Sequence, residues 1–405
     1  MRGGVEVGAP EKRRVAGAKK QLRRALWFLV FSGVLWFSAI LAVVMGHSER
    51  EAPELLVAET AVNSVVAEVP EVVVEEARAR WLMTGDVFLG RAVNSNARKS
   101  ALKTAQPFSK LHTFQRENYT DWIANLECPV TNNGHNEYLE MEKLIFNCDP
   151  DYLPEMQKWF SVVSLANNHT NNQGAAGFLE TQQHLAENQI QYFGTYDRYD
   201  TEQICNVVKI TTLVGFSDGT EEQFKLPFAF CGFHLVFGEI PEPSLQEIAK
   251  WSAVLPVIAL PHSGVEYQTH SNATQEATFR KMIELGADMV IGSHPHVAQN
   301  AEVYHGKLIA YSLGNFIFDQ WKAPYETFSA VIDVEVDLTD SKDVEEWAKA
   351  DCQTLFACQE YQSSFGLDKL SPAYNFDILS SSNASKITEK GDTKTLETIK
   401  NRLGI

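Results

Sequence analysis

The chain has 405 residues, 44% of them hydrophobic, which is enough for one sizeable folded core with appendages. Its formal net charge is -17, and residues 1–25 carry eight Lys or Arg against two Glu, so a net of +6 there leaves -17 - 6 = -23 for the remainder. This acidic body excludes a nucleic-acid partner, because binding to phosphates depends on a basic surface.

The first predicted element is an uncharged apolar segment at residues 25–45. A helix needs about 20 such residues to cross a bilayer, whereas a cleavable signal peptide has a shorter apolar region of roughly 7–15 residues. A buried core helix would not be this long, and residues 44–46 match a signal-peptidase site poorly. Because basic residues precede the segment, the positive-inside rule places residues 1–24 in the cytoplasm. The sequence therefore predicts a single-pass protein of the cell membrane whose main domain is extracytoplasmic.

Three regions are predicted after the apolar segment. Residues 46–79 are rich in Glu, Val and Ala and contain no Phe, Trp or Tyr, which is typical of a solvated acidic stalk. A folded domain is predicted at residues 80–340, with an abrupt start at Trp81. Residues 341–405 are predicted to be a C-terminal extension, first acidic and then rich in Ser, Lys and Thr, that frays towards its end.

Within the folded domain, apolar strand-like runs alternate with helix-like segments, which predicts an α/β fold. Apolar residues at helical spacing predict helices at residues 174–188 and 274–285, and Gly286 is a plausible cap for the second. Residues 329–337 alternate apolar and polar side chains, as an exposed strand does.

Six short polar clusters each stand where an apolar run ends. In an open α/β sheet the carboxyl ends of the strands line one crevice, so polar residues placed there repeatedly converge on a shared site. The set contains two acids, several asparagines and four histidines, a combination typical of metal-dependent hydrolases. The clusters are Gly85-Asp86, Asn125-Leu126-Glu127, Asn167-Asn168-His169, His262-Ser263-Gly264, His294-Pro295-His296 and Gly314-Asn315.

The clusters differ in how specifically they indicate a metal. Asp86 alone would usually be a cap or turn residue, and Asn168 could simply cap the following helix. His294-Pro295-His296 is more specific, because Pro fixes φ at about -65° and two imidazoles in an extended segment can reach one metal cluster. Two divalent ions could share the carboxylates and clamp a phosphoryl or acyl oxygen, while His169 could act as general acid. The predicted ligands of these ions (Zn, Mn or Fe) are Asp86, Glu127, Asn168, His262, His294 and His296.

All six cysteines lie beyond the apolar segment. An even number of cysteines in an exported domain permits disulfides, with several alternative pairings. Their close spacings favour 128 with 148, 205 with 231 and 352 with 358. The absence of any C-x-x-C pair argues against zinc binding by these residues.

Between residues 81 and 320 the chain resembles the CapA family, also called PgsA, the membrane-anchored capsule-synthesis proteins of bacterial poly-γ-glutamate systems. The family in turn resembles calcineurin-like metallophosphoesterases, which implies a four-layer α/β/β/α sandwich with a two-metal centre. The motifs that carry the resemblance, in order, are GDVFLGR (85–91), NLECP (125–129), ANNHTNNQGAAGFLET (166–181), HSGVEY (262–267), GADMVIGSHPHVAQ (286–299) and YSLGNFIFDQ (311–320).

The resemblance also implies roles for individual residues. The six predicted ligands match metal ligands of the superfamily, and His169 matches its catalytic histidine. Four residues match positions around the site where substrate would bind: Arg91, Asn125, Glu266 and Asn315. The chain departs from the patterns at four positions, since Phe88 stands where a phosphoesterase has His, Glu127 where it has Asp, and Ser263 and Asn172 where the family has Trp and Asp.

Two functions are compatible with these features. The first is an exported metal-dependent hydrolase or transferase acting on an anionic polymer or a phosphorylated envelope precursor. The second is a non-catalytic component that holds or guides poly-γ-glutamate, with other capsule polymer synthase subunits as partners. Because the acidic body would repel such a polymer, binding would need metal or Arg91 locally. The sequence favours a role in capsule-polymer biosynthesis or export.

Overall fold

The computed structural model describes residues 72–321 and 328–404, which belong to one compact unit. The predicted cytoplasmic and transmembrane segments lie outside these residues, as does the stalk up to residue 71. Among the described residues, no helix has both the length and the apolar character needed to cross a membrane. The first strand begins at Val74, so regular structure starts before the predicted domain boundary at residue 80.

The described residues form a mixed α/β fold, which confirms the predicted class. Their strands join through hydrogen bonds into one branched sheet. In chain order the strands are β1 (Val74–Val87), β2 (Asp121–Leu126), β3 (Val162–Ser164), β4 (Gln191–Phe193), β5 (Cys205–Phe216), β6 (Glu221–His234), β7 (Val257–His262), β8 (Met289–Ile291), β9 (Ala301–Tyr304), β10 (Lys307–Ala310), β11 (Asn315–Ile317), β12 (Phe328–Asp337), β13 (Ala373–Ser382) and β14 (Glu389–Lys390).

The two predicted helices are found at Gly174–Glu187 (α4) and Ala273–Glu284 (α8), and α8 begins with a capping box in which Asn272 and Gln275 satisfy each other's backbone N–H groups. The α-helices are α1 (Arg91–Lys99), α2 (Glu137–Glu142), α3 (Leu153–Met156), α4 (Gly174–Glu187), α5 (Thr201–Ile204), α6 (Glu242–Leu245), α7 (Glu247–Ser252), α8 (Ala273–Glu284), α9 (Val344–Lys349), α10 (Leu355–Phe365) and α11 (Thr393–Leu403). Short 3-10 helices occupy Lys103–Phe108, Leu111–Phe114, Arg116–Asn118 and Pro150–Tyr152.

The sheet branches at β1. The first part of β1 pairs antiparallel with β5, and its second part pairs in parallel with β2. One branch continues as β2-β3-β4 and the other as β5-β6-β7-β8-β10-β9, while β12 pairs with the opposite edge of β1. Because β1 belongs to both branches, it holds them together at their common origin.

Side chains alternate along β1 between two hydrophobic cores. Trp81 and Met83 belong to the first core, where Trp81 packs edge-on against Phe228 of β6 with 5.3 Å between ring centroids. Leu82 and Trp122 belong to the second core, on the other face of β1 and β2. The first core therefore buries apolar side chains of both branches against each other.

The parallel pairings determine which strand ends meet. β1, β2 and β3 are mutually parallel neighbours, and so are β6, β7 and β8. Asp86 is in register with Asn125, and His234 is in register with His262. The polar residues at the carboxyl ends of these strands therefore lie side by side, as the sequence predicts.

The last part of the chain differs from its prediction. Residues 373–382 form β13, which pairs with β12 along its whole length, and α11 buries Ile399 and Leu403. β12 is accordingly an interior strand between β1 and β13 and is mostly buried, whereas its alternating pattern predicted an exposed strand. Polar composition was misleading because polar side chains in this region are themselves paired and buried, as in the hydrogen bond between Ser329 and Ser381.

The three predicted disulfides are confirmed, and the six cysteines leave no free thiol. Cys205–Cys231 joins residues that are in register on β5 and β6. Each bridge closes a short loop, so proximity along the chain was a sufficient guide to the pairing.

Candidate metal centre

Two carboxylates and one imidazole form a buried cluster at the strand ends. Asp86, Glu127 and His296 each offer a ligand atom, and these atoms all lie within 4.8 Å of one another. The His296 Nδ1 atom is 3.6 Å from Asp86 Oδ2, and its Nε2 atom is 3.8 Å from Glu127 Oε1. Both carboxylates are fully shielded from solvent.

The backbone around Asp86 explains why glycines flank this cluster. The Asp86 N–H donates to the carbonyl of Gly314 over 3.0 Å. A Cβ atom at Gly85 would lie only 1.7 Å from that same carbonyl oxygen. Gly85 is therefore needed for β1 to approach the turn before β11 closely enough to bring Asp86 beside Asn315.

The donor atoms of the cluster fit a divalent cation. Asp86 Oδ2, both carboxylate oxygens of Glu127 and Nδ1 of His294 are buried and have no hydrogen-bond partner among the residues that the structure describes. Buried polar groups are nearly always paired, and an isolated buried carboxylate is strongly destabilising unless a cation or a proton neutralises it. Oxygen and imidazole nitrogen together suit Zn, Mn or Fe.

The segment that carries two of the histidines is strained. His294 has φ 99° and His296 has φ 60°, so the segment is not extended as predicted. Such values cost about 1–3 kcal/mol for a residue other than glycine and tend to occur at functional sites. The left-handed backbone at each histidine directs the two side chains into one site, with 6.0 Å between their ring centroids.

The titration of these groups follows from their burial. Burial, and then the charge of Asp86, raise the pKa of Glu127 well above its usual range. For His296 burial alone would lower the pKa, but Glu127 and Asp86 outweigh it and raise the pKa to about 9. Burial and neighbouring imidazoles lower the pKa of His294 to about 3 and that of His262 well below its usual value. In the absence of a metal ion, the positive charge of protonated His296 therefore offsets negative charge on the buried carboxyl groups.

The other three predicted ligands lie next to this cluster. His262 Nε2 is 2.8 Å from the side-chain oxygen of Asn168, and the His262 and His294 rings are 4.9 Å apart. His262 Nδ1 lies 2.8 Å from the hydroxyl of Ser293. The side-chain oxygen of Asn168 and the imidazoles of His262 and His294 therefore lie close together. His262 Nε2 donates a hydrogen bond to Asn168 here, and an ion held by these residues would replace that hydrogen bond.

Asparagines orient the carboxylates and histidines. Asn125 donates from Nδ2 to Asp86 over 2.8 Å, and Asn167 donates to Asn125 Oδ1 over 3.0 Å. His296 Nδ1 lies 2.9 Å from Asn315 Oδ1, which fixes Nδ1 as a donor and leaves Nε2 facing Glu127. Asn125 and Asn315 thus contact proposed ligands directly.

His169 lies beside the cluster in a fixed orientation. Its Nδ1 is 2.9 Å from Asn172 Oδ1, which also accepts the backbone N–H of Phe146. The carbonyl oxygen can only accept, so the imidazole carries its proton on Nδ1. Burial lowers the pKa of His169 to about 4, so the neutral ring presents an unprotonated Nε2 at pH 7.

Arg91 has a partner that the sequence did not reveal. It donates to both carboxylate oxygens of Asp319, over 3.0 Å and 2.5 Å, and its side chain is only 12% exposed. Phe88, which replaces the phosphoesterase histidine, packs against Phe146 and Phe318 at 4.5 Å and 5.1 Å. Phe88 therefore belongs to an apolar cluster beneath the guanidinium of Arg91.

The remaining predicted residue, Glu266, is exposed, but its charge contributes to the raised pKa of Glu127 and so places it near the centre. Sequence reasoning overlooked Gln320, which bridges Asn315 to the hydroxyl of Tyr267 through bonds of 2.8 Å and 2.9 Å. It also overlooked His234, the last residue of β6, although His234 ends an apolar run as the six clusters do.

Comparisons with known proteins agree with the motifs. The family described as "Bacterial capsule synthesis protein PGA_cap" matches residues 80–320, which include all six polar clusters. The chain is 30% identical over 287 residues to "Capsule biosynthesis protein CapA" of Bacillus anthracis, covering 66% of each chain. It is 31% identical over 243 residues to "PGA biosynthesis protein CapA" of Bacillus subtilis (strain 168), covering 58% of this chain and 62% of that protein.

The chain thus spans slightly less than two thirds of the length of these curated relatives. A solved structure from Thermus thermophilus covers 62% of this chain and 93% of its own, at 9% identity and a TM-score of 0.31, which is too low to indicate a shared fold.

Proposed function

This chain belongs to the bacterial capsule synthesis protein family PGA_cap, and we propose that it acts in the biosynthesis or export of a capsule polymer such as poly-γ-glutamate. The names of the two CapA relatives support this assignment. The proposed location is the cell membrane, with the apolar segment 25–45 as a single anchor, residues 1–24 in the cytoplasm and the main domain outside it.

The proposed architecture is the four-layer α/β/β/α sandwich of metallophosphoesterases. Its support is the branching of the sheet at β1, with one core between the branches and a second core on the other face of β1 and β2. Such a sandwich would present the carboxyl ends of both sets of parallel strands to the same site.

The observation that carries the function is the buried cluster of Asp86, Glu127 and His296. Three oxygen atoms of its carboxylates have no hydrogen-bond partner among the described residues. The residues of this cluster would hold one divalent ion, and Asn168, His262 and His294 would hold a second. Bound ions would supply Lewis-acid polarisation of a phosphoryl or acyl oxygen.

The side chains around the ions have separate tasks. Asn125 holds Asp86, and Asn315 fixes the tautomer of His296 so that Nε2 is its ligand atom. His169 is the proposed proton-transfer residue. Because its Nδ1–H donates to Asn172, it would accept and release the transferred proton at Nε2. Glu266 lies near the site, whereas Arg91 contributes through its pair with Asp319.

A metal-dependent hydrolase of phosphoester or amide bonds is the reaction class that this arrangement supports, on an anionic capsule polymer or another envelope precursor. A non-catalytic, polymer-binding scaffold is the second candidate. The observation that favours the scaffold is Phe88, which stands where a phosphoesterase has a ligand histidine and packs its ring against Phe146 and Phe318.

The test combines metal analysis of the purified full-length chain with phosphoesterase and γ-glutamyl hydrolysis assays. We expect bound divalent metal, and turnover that His169→Ala lowers by about 10²–10⁴ with metal content unchanged. Polymer production that survives His169→Ala but fails on loss of His294 and His296 would identify the scaffold instead. A wild-type chain that binds no divalent metal would contradict both the hydrolase and the metal-containing scaffold.

A further inference from the structure

His234 is the last residue of β6, lies beside the candidate metal centre and has no role in the proposed metal-dependent function. Its parallel register with His262 directs both side chains to the same face of the sheet. The charge of His234 contributes to the lowered pKa values of His169, His262 and His294, so His234 lies within electrostatic range of all three. Only 9% of the residue is exposed.

One nitrogen of His234 lacks a partner. Nδ1 lies 2.9 Å from the carbonyl oxygen of Tyr196 and must donate to it, so the neutral ring presents a bare lone pair at Nε2. Nε2 is buried, and no group in residues 72–321 or 328–404 forms a hydrogen bond with it. A buried acceptor of this kind is costly unless a ligand donor completes it.

A guanidinium lies within electrostatic range of His234. Arg198 follows Tyr196 by two residues, and its positive charge acts on His234. No carboxylate of the described residues lies within salt-bridge distance of Arg198, although the chain is strongly acidic. Its Nη1 atom is buried against the backbone of Gly238 and has no hydrogen-bond partner within the described part of the chain.

Two exposed aromatic side chains border these groups. The ring of Phe237 lies 5.2 Å from that of His234 and is 72% exposed, and Tyr199, 67% exposed, lies beneath the Arg198 guanidinium at 5.2 Å. Because Phe237 buries little apolar surface, it can turn aside from His234 at small cost. A ligand then reaches Nε2 from solvent.

We infer that His234 and Arg198 form a subsite for one acidic amide unit of the polymer, such as a γ-glutamyl residue. Arg198 pairs with the free carboxylate of that unit, and His234 Nε2 accepts its amide N–H. A fully ionised phosphate fits less well, because it has no hydrogen to donate to Nε2. The inference rests on the proposed function for the identity of the polymer. It adds to the metal centre a neighbouring subsite that binds one unit of that polymer.

The experiment measures binding of a short fluorescent γ-glutamyl oligomer to the purified full-length chain, together with metal content. His234→Ala and Arg198→Ala should each weaken binding about tenfold, the effect of losing one buried hydrogen bond or ion pair, while bound metal stays constant. His234→Gln keeps an acceptor near the position of Nε2 and should retain more affinity than His234→Ala. The matched controls are His112→Ala, an exposed histidine whose Nδ1 also contacts a carbonyl, and Arg78→Ala.

The outcomes separate this subsite from the metal centre. Loss of metal in His234→Ala would make His234 a ligand and overturn the subsite, and so would unchanged oligomer affinity in both variants. A wild-type chain that binds metal but does not bind the oligomer would also overturn the subsite, and it would be consistent with the proposed metal centre. A metal-free chain whose oligomer binding still depends on His234 and Arg198 would retain the subsite and reject the metal proposal.

Discussion

Phe146 stacks on the imidazole of His169, with 3.9 Å between ring centroids and 25° between ring planes. The backbone N–H of Phe146 donates to Asn172, the residue that also accepts from His169 Nδ1. The guanidinium of Arg91 lies 4.8 Å from the same phenyl ring. One buried aromatic residue thus sets both the plane and the hydrogen-bond partner of the proposed proton-transfer group.

Replacing Phe146 with Leu should loosen His169 without disturbing the ligands. The imidazole protons of His169 should lose the ring-current shift of the stacked phenyl group, which NMR measures directly. In an active protein kcat should fall about tenfold, because a misplaced acid or base loses much of its contribution. The control is Phe356→Leu at an exposed position. Unaltered His169 resonances in Phe146→Leu would show that the stack does not position the ring.

Asn172→Asp should raise the pKa of His169. The wild-type value is lowered to about 4 by burial, and Asn172 offers only a neutral acceptor. A carboxylate at the same position favours the charged imidazolium and should raise the pKa of His169 by about 1–3. An NMR titration of His169 measures the shift, with Asn171→Asp, an exposed neighbour, as the control for the added charge alone. Equal shifts in the two variants would contradict a direct contact.

The double substitution His294→Ala with His296→Ala should remove most of the bound metal and leave the fold intact. It deletes one ligand atom from each proposed ion, and because Ala keeps a Cβ atom it leaves the two positive-φ positions about as strained as before. Elemental analysis gives the stoichiometry, and circular dichroism reports the fold. The exposed pair His270→Ala with His305→Ala is the matched control. Full stoichiometry in the first double variant would refute the assignment of the site.

Metal binding should strengthen with rising pH. The pKa of His296 is raised to about 9 by Glu127 and Asp86, so below that pH a proton must leave before Nε2 can bind an ion. Affinity should therefore rise by at least about tenfold per pH unit below pH 9, because Glu127, whose pKa is also raised, must release its own proton on binding. His294 and His262 have lowered pKa values and compete little. Isothermal titration at several pH values gives the slope, and a flat profile would exclude proton competition at His296.

The same pKa shift predicts the pH dependence of the metal-free protein. A histidine whose pKa is raised on folding stabilises the fold below its unfolded value of 6.5, and this contribution is lost as the pH rises to about 9. The raised pKa of Glu127 acts in the same direction, because charging a buried carboxyl disfavours the folded state. Melting temperatures in chelator should fall between these pH values, and added metal should abolish most of the fall. Replacing His296 with Ala should remove the His296 component.

The apolar segment 25–45 should remain attached to the mature protein. Its length exceeds that of a signal-peptide core, and no good cleavage site follows it. N-terminal sequencing of membrane-extracted protein tests this. A mature terminus near Gly46 would contradict the anchor.

Patterns that are local in the chain were sufficient for much of this protein. Hydrophobic periodicity predicted the α/β class and the positions of α4 and α8. Close spacing predicted three disulfides, because residues a few tens of positions apart meet easily. Polar residues at strand ends predicted the cluster of Asp86, Glu127 and His296, since parallel strands bring their carboxyl ends together.

The tertiary structure decided what depends on distant pairing. The partner of Arg91 is Asp319, 228 residues away, and no local pattern distinguishes that ion pair from a free substrate contact. The order of the C-terminal extension depends on β13 reaching β12, which polar composition concealed. The left-handed backbone at His294 and His296 and the open nitrogen of His234 arise from the packing of whole strands against one another. Sequence alone determined which residues could form a site, and only the packed sheet determined how each one is oriented and paired.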